Sequence, residues 1–158
     1  MYMHRAEWIE GNVPSLSVSM PELSGSATLD NLKTAFGLES QAIWRYRYYA
    51  TIADFEGYTD VAQFFNEVAE SDVINAHGHL DFIKTVGDPI TGTPIGETGG
   101  NLHAAMSADL QHARDVYPAM AHQARAEGFA DIADWFEVLA KSKHRHAALF
   151  QKIADSIS

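Results

Sequence analysis

Charged and imidazole side chains recur three residues apart within stretches that are otherwise apolar. Asp109 and His112 form one such pair, and Lys143 and His146 form another. Residues three apart lie on the same face of a helix, so both members of a pair can point at the same ion or partner. Carboxylates and imidazoles hold divalent metal ions in proteins. The spacing therefore predicts either a metal site or a buried ion-pair network, depending on the helices that position these residues.

Four amphipathic segments carry these residues. Along each segment, apolar side chains repeat at steps of three and four, which indicates a helix with one buried face. The first, second and third segments end at Gly57, Gly87 and Gly128, and glycine commonly ends helices. Ser26 and Thr28 offer helix caps at the start of the first segment. We expect four helices of about 28 residues, each roughly 40 Å long, and therefore an all-α four-helix bundle.

The chain divides into an arm and one bundle domain. Residues 1–27 lack apolar periodicity and are rich in Ser, Pro and Gly, so we expect an N-terminal arm. Residues 28–158 are expected to form the bundle, with a Gly- and Pro-rich crossover loop over residues 87–100. A loop of this length would cross the end of the bundle. It would also allow a helix pair to pass to a second subunit, which is a domain swap.

The second half of the sequence repeats the first. Residues 56–72 (EGYTDVAQFFNEVAESD) align without gaps with residues 127–143 (EGFADIADWFEVLAKSK), at an offset of 71 residues. Glu39 aligns with Asp109 at an offset of 70 residues. The four helices therefore form two repeated helix pairs.

The change of offset places one extra residue in the third helix, between Asp109 and Glu127. A single inserted residue in a helix is often accommodated as a π-bulge, and π-bulges occur frequently at functional sites. We expect the bulge near His112 or Pro118. We also expect Pro118 to kink the helix, because proline cannot donate a backbone hydrogen bond.

Composition excludes several classes of partner. The formal net charge is −10, whereas nucleic-acid-binding domains usually carry a basic face, so no nucleic-acid partner is expected. No apolar run approaches the roughly 20 residues of a membrane span, and no export signal is recognisable at the start of the chain. The absence of cysteines excludes disulfides and thiolate metal sites, and it suits the reducing cytoplasm, where we expect this protein.

The inner faces of all four predicted helices carry polar residues at mid-height. In chain order these residues are Glu39, Tyr46, Asp72, Asn75, Asp109, His112, Tyr117, Lys143 and His146. Carboxylates and imidazoles that converge from four helices are the layout of a metal centre in a bundle. The alternative is a metal-free bundle with a salt-bridge core centred on Lys143, acting as a structural or partner-binding protein.

Five segments also carry a resemblance to a known family. They read NLKTAFGLESQA, EGYTDVAQFF, AHGHL, VYPAMA and EGFADIADWFEVLAK, and from residue 20 onward the chain resembles the rubrerythrins, which are ferritin-like diiron proteins. The resemblance implies a ferritin-like four-helix bundle, a homodimer that is domain-swapped in some members, and peroxide-reducing activity. A rubredoxin-like tail, which the family usually carries, needs cysteines, so we expect any electron donor to be a separate molecule.

The resemblance implies metal ligands on all four helices. These ligands are Glu39, Asp72, Asp109, His112 and His146. Glu39 and His146 match the family's residue types at these positions. Asp72 and Asp109 keep the family's carboxylate on a shorter side chain, and His112 stands where the family has a glutamate.

Two further positions depart from the family's ligand pattern. Asn75 replaces a histidine, and Lys143 replaces a glutamate that bridges the two irons. Three carboxylates and one ammonium give the site a charge of −2. One divalent ion would neutralise this charge, whereas two ions would leave an excess of positive charge in the core, which is costly.

We therefore expect one ion of iron or another divalent metal, or none, rather than a diiron pair. The corresponding hypothesis is a rubrerythrin-like non-haem metal oxidoreductase with an altered, mononuclear site for peroxide or dioxygen chemistry. Tyr46 and Tyr117 match family tyrosines and are expected as catalytic groups that hydrogen-bond or transfer protons. Lys143 is expected in the site as a fixed cation.

Overall fold

A computed structural model describes residues 21–157, which fold into long helices without any strand in that range. The helices are α1 (Ala27–Phe55), α2 (Thr59–Ile83), α3 (Thr98–Gln111), α4 (Tyr117–Ala126) and α5 (Ala130–Ser156). A π-helix, His112–Val116, joins α3 to α4 without a break. The predicted all-α fold of two repeated helix pairs is therefore confirmed. In the described range, no helix combines the length and the apolar character that a membrane span requires.

The start of α1 follows from local hydrogen bonding. Ser26 has an extended backbone, and its hydroxyl oxygen accepts a hydrogen bond from the amide of Leu29 at 3.1 Å. This bond satisfies one of the free amides of the first turn and contributes about 1 kcal/mol. Most of the predicted arm, residues 1–27, lies outside the described residues, and its boundary stays a prediction.

The turn between α1 and α2 has the same geometry as the turn between α4 and α5. Gly57 and Gly128 adopt φ values of 86° and 88°, a conformation that only glycine adopts easily. The next amides, of Tyr58 and Phe129, donate to carbonyls five residues earlier, each at 2.8 Å. Two such turns, 71 residues apart, confirm the sequence repeat.

Each turn joins one tightly packed helix pair. Helix α1 packs on α2 (the first pair), and α5 packs on α3, the π-helix and α4 (the second pair). The buried alanines are Ala50, Ala53, Ala62, Ala69 and Ala76 in the first pair and Ala104, Ala121, Ala124, Ala133, Ala147 and Ala154 in the second. Small side chains at these positions let the helix axes approach closely.

The two pairs do not pack on each other. Within residues 21–157, no helix of the first pair contacts a helix of the second pair. Each pair therefore presents one face that nothing in the described part of the same chain covers. We call these two surfaces the open faces.

A structured linker, residues 84–97, separates the two pairs. Helix α3 begins at Thr98, inside the segment predicted as the crossover loop 87–100. Gly99 and Gly100 look like loop residues in the sequence, but they lie in the first turn of α3. A Cβ at Gly100 would lie 2.6 Å from the carbonyl oxygen of Pro94, so glycine is required there by the close approach of the linker.

Candidate metal centre

Asp109 is the centre of a polar cluster on the second pair. It is the one charged residue classed as buried within residues 21–157. Its Oδ1 accepts a hydrogen bond from Lys143 Nζ at 2.8 Å, and its Oδ2 lies 3.5 Å from Nδ1 of His146. Nδ1 of His112 lies 4.0 Å from Oδ1. The structure thus brings together four of the predicted site residues.

The π-helix sets the position of His112. His112 is its first residue, and the amide of Tyr117 donates to the carbonyl of His112, five residues earlier. The wider turn absorbs the extra residue detected in the repeat, so the predicted π-bulge near His112 is confirmed. Pro118 follows directly, and its missing amide hydrogen falls beside this widened turn.

One nitrogen in the cluster lacks a partner. Nδ1 of His112 is buried and has no hydrogen-bond partner among residues 21–157. Its distance of 4.0 Å from Asp109 is too long for a hydrogen bond. A buried polar atom without a partner costs about 1–3 kcal/mol, so this nitrogen is available to a ligand or to a side chain from another surface.

Tyr46 and Tyr117 occupy equivalent positions in the two pairs. The ring of Tyr46 stacks on Phe65, with centroids 6.2 Å apart, and the ring of Tyr117 stacks on Phe136 at the same distance. Tyr117 also meets the ring of His112 edge-on, with centroids 6.0 Å apart. The stacked phenylalanines fix the tyrosine rings, and only Tyr117 contacts the cluster within one chain.

The predicted residues of the first pair lie away from this cluster. Glu39 and Asp72 are half-buried on α1 and α2, and Asn75 is exposed. Within residues 21–157, neither Glu39 nor Asp72 has a hydrogen-bond or ion-pair partner. Because the pairs do not touch, the structure does not bring Glu39, Asp72 or Tyr46 to Asp109 inside one chain.

This separation limits what one chain can bind. In the described range, no three His, Asp or Glu side chains are placed to hold a metal ion. The sequence pattern indicated that His146 points inward, yet its side chain is 51% exposed, because the open face is uncovered. The length of the linker was the one sequence signal for such an arrangement.

The two open faces carry opposite types of polar group. The first pair contributes the carboxylates of Glu39 and Asp72. The second pair contributes Lys143, His112 and His146 around one carboxylate that is already hydrogen-bonded. Together the two faces supply three carboxylates and two imidazoles, which is a suitable donor set for one divalent ion next to an ammonium group.

The second half-site also differs from a two-metal site in one respect. The amine of Lys143 takes one oxygen of Asp109 at 2.8 Å. Because an ammonium has three donors and no acceptor, it cannot ligate a metal ion in its charged form. The residues present therefore fit one ion and do not fit two.

Comparison with known proteins gives the relationships of the chain. The family model described as Rubrerythrin matches residues 30–97 and 100–158. A rubrerythrin of Porphyromonas gingivalis is 38% identical over 128 residues, which cover 78% of this chain and 64% of that protein. Rubrerythrin-1 of Clostridium acetobutylicum is 33% identical over 146 residues, which cover 87% of this chain and 75% of that protein.

Among solved structures, nigerythrin in a mixed-valence state matches 89% of this chain and 72% of that chain, at 22% identity and a TM-score of 0.39. The chain spans about two thirds to three quarters of the length of the two curated relatives. The family match covers both helix pairs and most of the linker. The chain therefore belongs to the rubrerythrin family.

Proposed function

We propose that this protein is a rubrerythrin-like non-haem metal oxidoreductase whose centre holds one divalent ion, with iron as the leading candidate. The observation that carries the proposal is the 2.8 Å hydrogen bond from Lys143 to Asp109. It puts a fixed positive charge among the conserved types of ligand, at the position where a second metal ion would need a carboxylate. The site keeps enough donors for a single ion.

Five residues would hold the ion. They are Glu39, Asp72, Asp109, His112 and His146. The unpartnered Nδ1 of His112 supports this assignment, because a buried imidazole nitrogen without a hydrogen bond is suited to bind a metal ion. When bound, iron would supply redox chemistry toward peroxide or dioxygen.

The remaining residues would position groups and protons. Lys143 holds the carboxylate of Asp109 through Oδ1 and leaves Oδ2 facing His146. Tyr117 lies beside His112, and its stacked ring would keep the phenol hydroxyl ready to donate a hydrogen bond or a proton. Tyr46 would do the same from the first pair. A cysteine-free chain supports a cytoplasmic location and an electron donor supplied as a separate molecule.

A second candidate function follows from the same ion pair. Asp109 already has a cationic partner, and one chain has no ready cluster of three metal donors in its described part. These observations favour a metal-free bundle with a salt-bridge core centred on Lys143, in a structural or partner-binding role. The two candidates differ in metal retention.

Metal analysis separates them. Protein purified from cells supplemented with iron, manganese or zinc should retain about one ion per chain, and a chelator should lower its melting temperature. Lys143→Glu restores a carboxylate and should raise uptake toward two ions per chain. Lys141→Glu makes the same charge change at an exposed position two residues away and should leave uptake at one ion. No retained metal, with a melting temperature unaffected by chelation, would favour the second candidate.

A further inference from the structure

We propose that the metal centre is a composite of two copies of this chain. In this dimer the first pair of each copy packs against the second pair of the other, so each of two sites takes Glu39 and Asp72 from one copy and Asp109, His112 and His146 from its partner. The ligand assignment rests on the proposed function. The exchange of helix pairs rests on the fold alone.

The open faces are built to be covered. On the first pair, Tyr49, Val61 and Phe65 line a groove of about 600 Å³. On the second pair, Met120, Ile132 and Phe136 line a groove of about 320 Å³.

These grooves lie at equivalent positions of the repeat, and their equivalent residues Val61 and Ile132 are 46% and 48% exposed. Matched apolar surface of this kind marks an interface. A four-helix bundle would bury both grooves at once.

The linker argues that the covering pair comes from another copy. Oδ1 of Asp88 accepts hydrogen bonds from the amides of Ile90 and Thr91 at 3.0 and 2.7 Å and from the hydroxyl of Thr91 at 2.9 Å. The amide of Asp88 donates to the carbonyl of Thr93 at 2.8 Å. These bonds give the linker one defined shape that keeps the pairs of a chain apart.

Two close contacts support the same shape. A Cβ at Gly87 would lie 2.6 Å from the carbonyl oxygen of Gly92, and a Cβ at Gly100 would lie equally close to that of Pro94. Folding the second pair back onto the first within one chain would break this arrangement. Exchange with a second copy keeps the linker intact and covers both faces.

Charge complementarity identifies the occupant as a second copy of this chain. The first pair offers Glu39 and Asp72 without partners in the described range. The second pair offers His146, half-exposed, and the unpartnered Nδ1 of His112. A reciprocal exchange between two copies satisfies both faces and closes with two-fold symmetry, which leaves no open face for further growth.

Pairs of disabled chains test the exchange directly. One variant carries Glu39→Ala and Asp72→Ala, and the other carries Asp109→Ala and His146→Ala. The two are co-expressed with different tags, and the heterodimer is isolated through both tags and loaded with ferrous ion. In an exchanged dimer one site is intact, so the heterodimer should hold about half the iron of the wild-type dimer, while each disabled homodimer holds none.

The reverse combination is the control. A chain with all four substitutions is paired with the wild-type chain. An exchanged heterodimer then has one damaged half in each site and should hold no iron, whereas a dimer without exchange would keep one intact site. The proposal is overturned if the first heterodimer is empty and the second holds iron, or if the purified wild-type protein is monomeric at 17.4 kDa.

A metal-independent measurement decides the exchange if the wild-type chain holds no iron. Ile74 and Arg145 are exposed positions 71 residues apart, one on each pair, and the chain has no native cysteine to interfere. Spin labels at Ile74→Cys and Arg145→Cys should give a short distance in pulsed electron paramagnetic resonance. In an exchanged dimer this short distance disappears when excess unlabelled protein is co-refolded with the labelled chain. Its persistence on dilution would show that both pairs of one chain form the bundle, and would refute the exchange.

Discussion

The interaction between Asp109 and Lys143 can be compared with a surface pair of the same length. The distance from Lys143 Nζ to Asp109 is 2.8 Å, and the side chains are 31% and 10% exposed. The distance from Arg47 to Glu70 is 2.7 Å, with 37% and 67% of the side chains exposed. The two pairs thus differ in burial, chiefly on the acidic side, and hardly in distance.

This difference sets the expected energies. A hydrogen bond to a charged, largely buried group contributes about 1.5–3 kcal/mol, whereas an exposed ion pair contributes about 0.2–1 kcal/mol. We therefore predict a coupling free energy of about 2 kcal/mol between Asp109 and Lys143, and less than about 1 kcal/mol between Arg47 and Glu70. Covering the open face would exclude water from the first pair and increase the difference.

A double-mutant cycle measures both couplings. The variants are Asp109→Asn and Lys143→Met, singly and together, with Glu70→Gln and Arg47→Met as the control cycle. The free energy of unfolding is obtained from urea titrations followed by circular dichroism, without metal and at one protein concentration, because subunit association changes apparent stability. Raising sodium chloride from 0.15 to 1 M should weaken the surface coupling more than the buried one. Equal couplings, or equal losses in salt, would refute this account of the cluster.

Three further changes have defined outcomes. Gly100→Ala should lower the unfolding free energy by about 1–3 kcal/mol through the clash with the linker carbonyl, whereas Gly99→Ala, whose Cβ would meet nothing within 4 Å, should be neutral or stabilising by up to about 1 kcal/mol in urea titrations. Ser26→Ala should cost about 1 kcal/mol in the same assay, because the first turn of α1 loses its cap; no loss would contradict the cap. The hydrogen bond from Lys84 lowers the pKa of Asp81, so Lys84→Met should raise that pKa toward its usual value in a carboxyl NMR titration. Because the folded-state pKa of Asp81 is depressed, any stabilisation from this pair is present above the usual aspartate pKa and is lost as the pH falls through the folded value; an unchanged titration would contradict the assignment.

Much of the fold is predictable because it follows from local physics. Apolar periodicity located the helices, and glycines located the two tight turns. The single change of offset in the repeat located the π-helix at His112, since an added residue in a continuous helix has few other places to go. The capping role of Ser26 is also a short-range effect that a sequence motif can encode.

The candidate site was only partly predictable for a physical reason. The grouping of Asp109 with Lys143 and His146 depends on two adjacent helices, which helical spacing can indicate. Whether Glu39 and Asp72 reach the same point depends on how the linker directs the two pairs. That direction is set by the hydrogen bonds of one aspartate and by two close glycine contacts, and no apolar pattern reports it. An inward-facing stripe reveals that a residue will be covered without revealing which copy of the chain covers it.

The central claim is that Lys143 stands in place of a second metal ion in a site for one. Anomalous diffraction at the iron edge, from crystals of iron-loaded protein, measures this directly. The account predicts one peak per site within ligand distance of Asp109 and His146, with the amine of Lys143 still bonded to Asp109 and no second peak beside it. Two peaks per site, or none in protein that retains iron in solution, would contradict it.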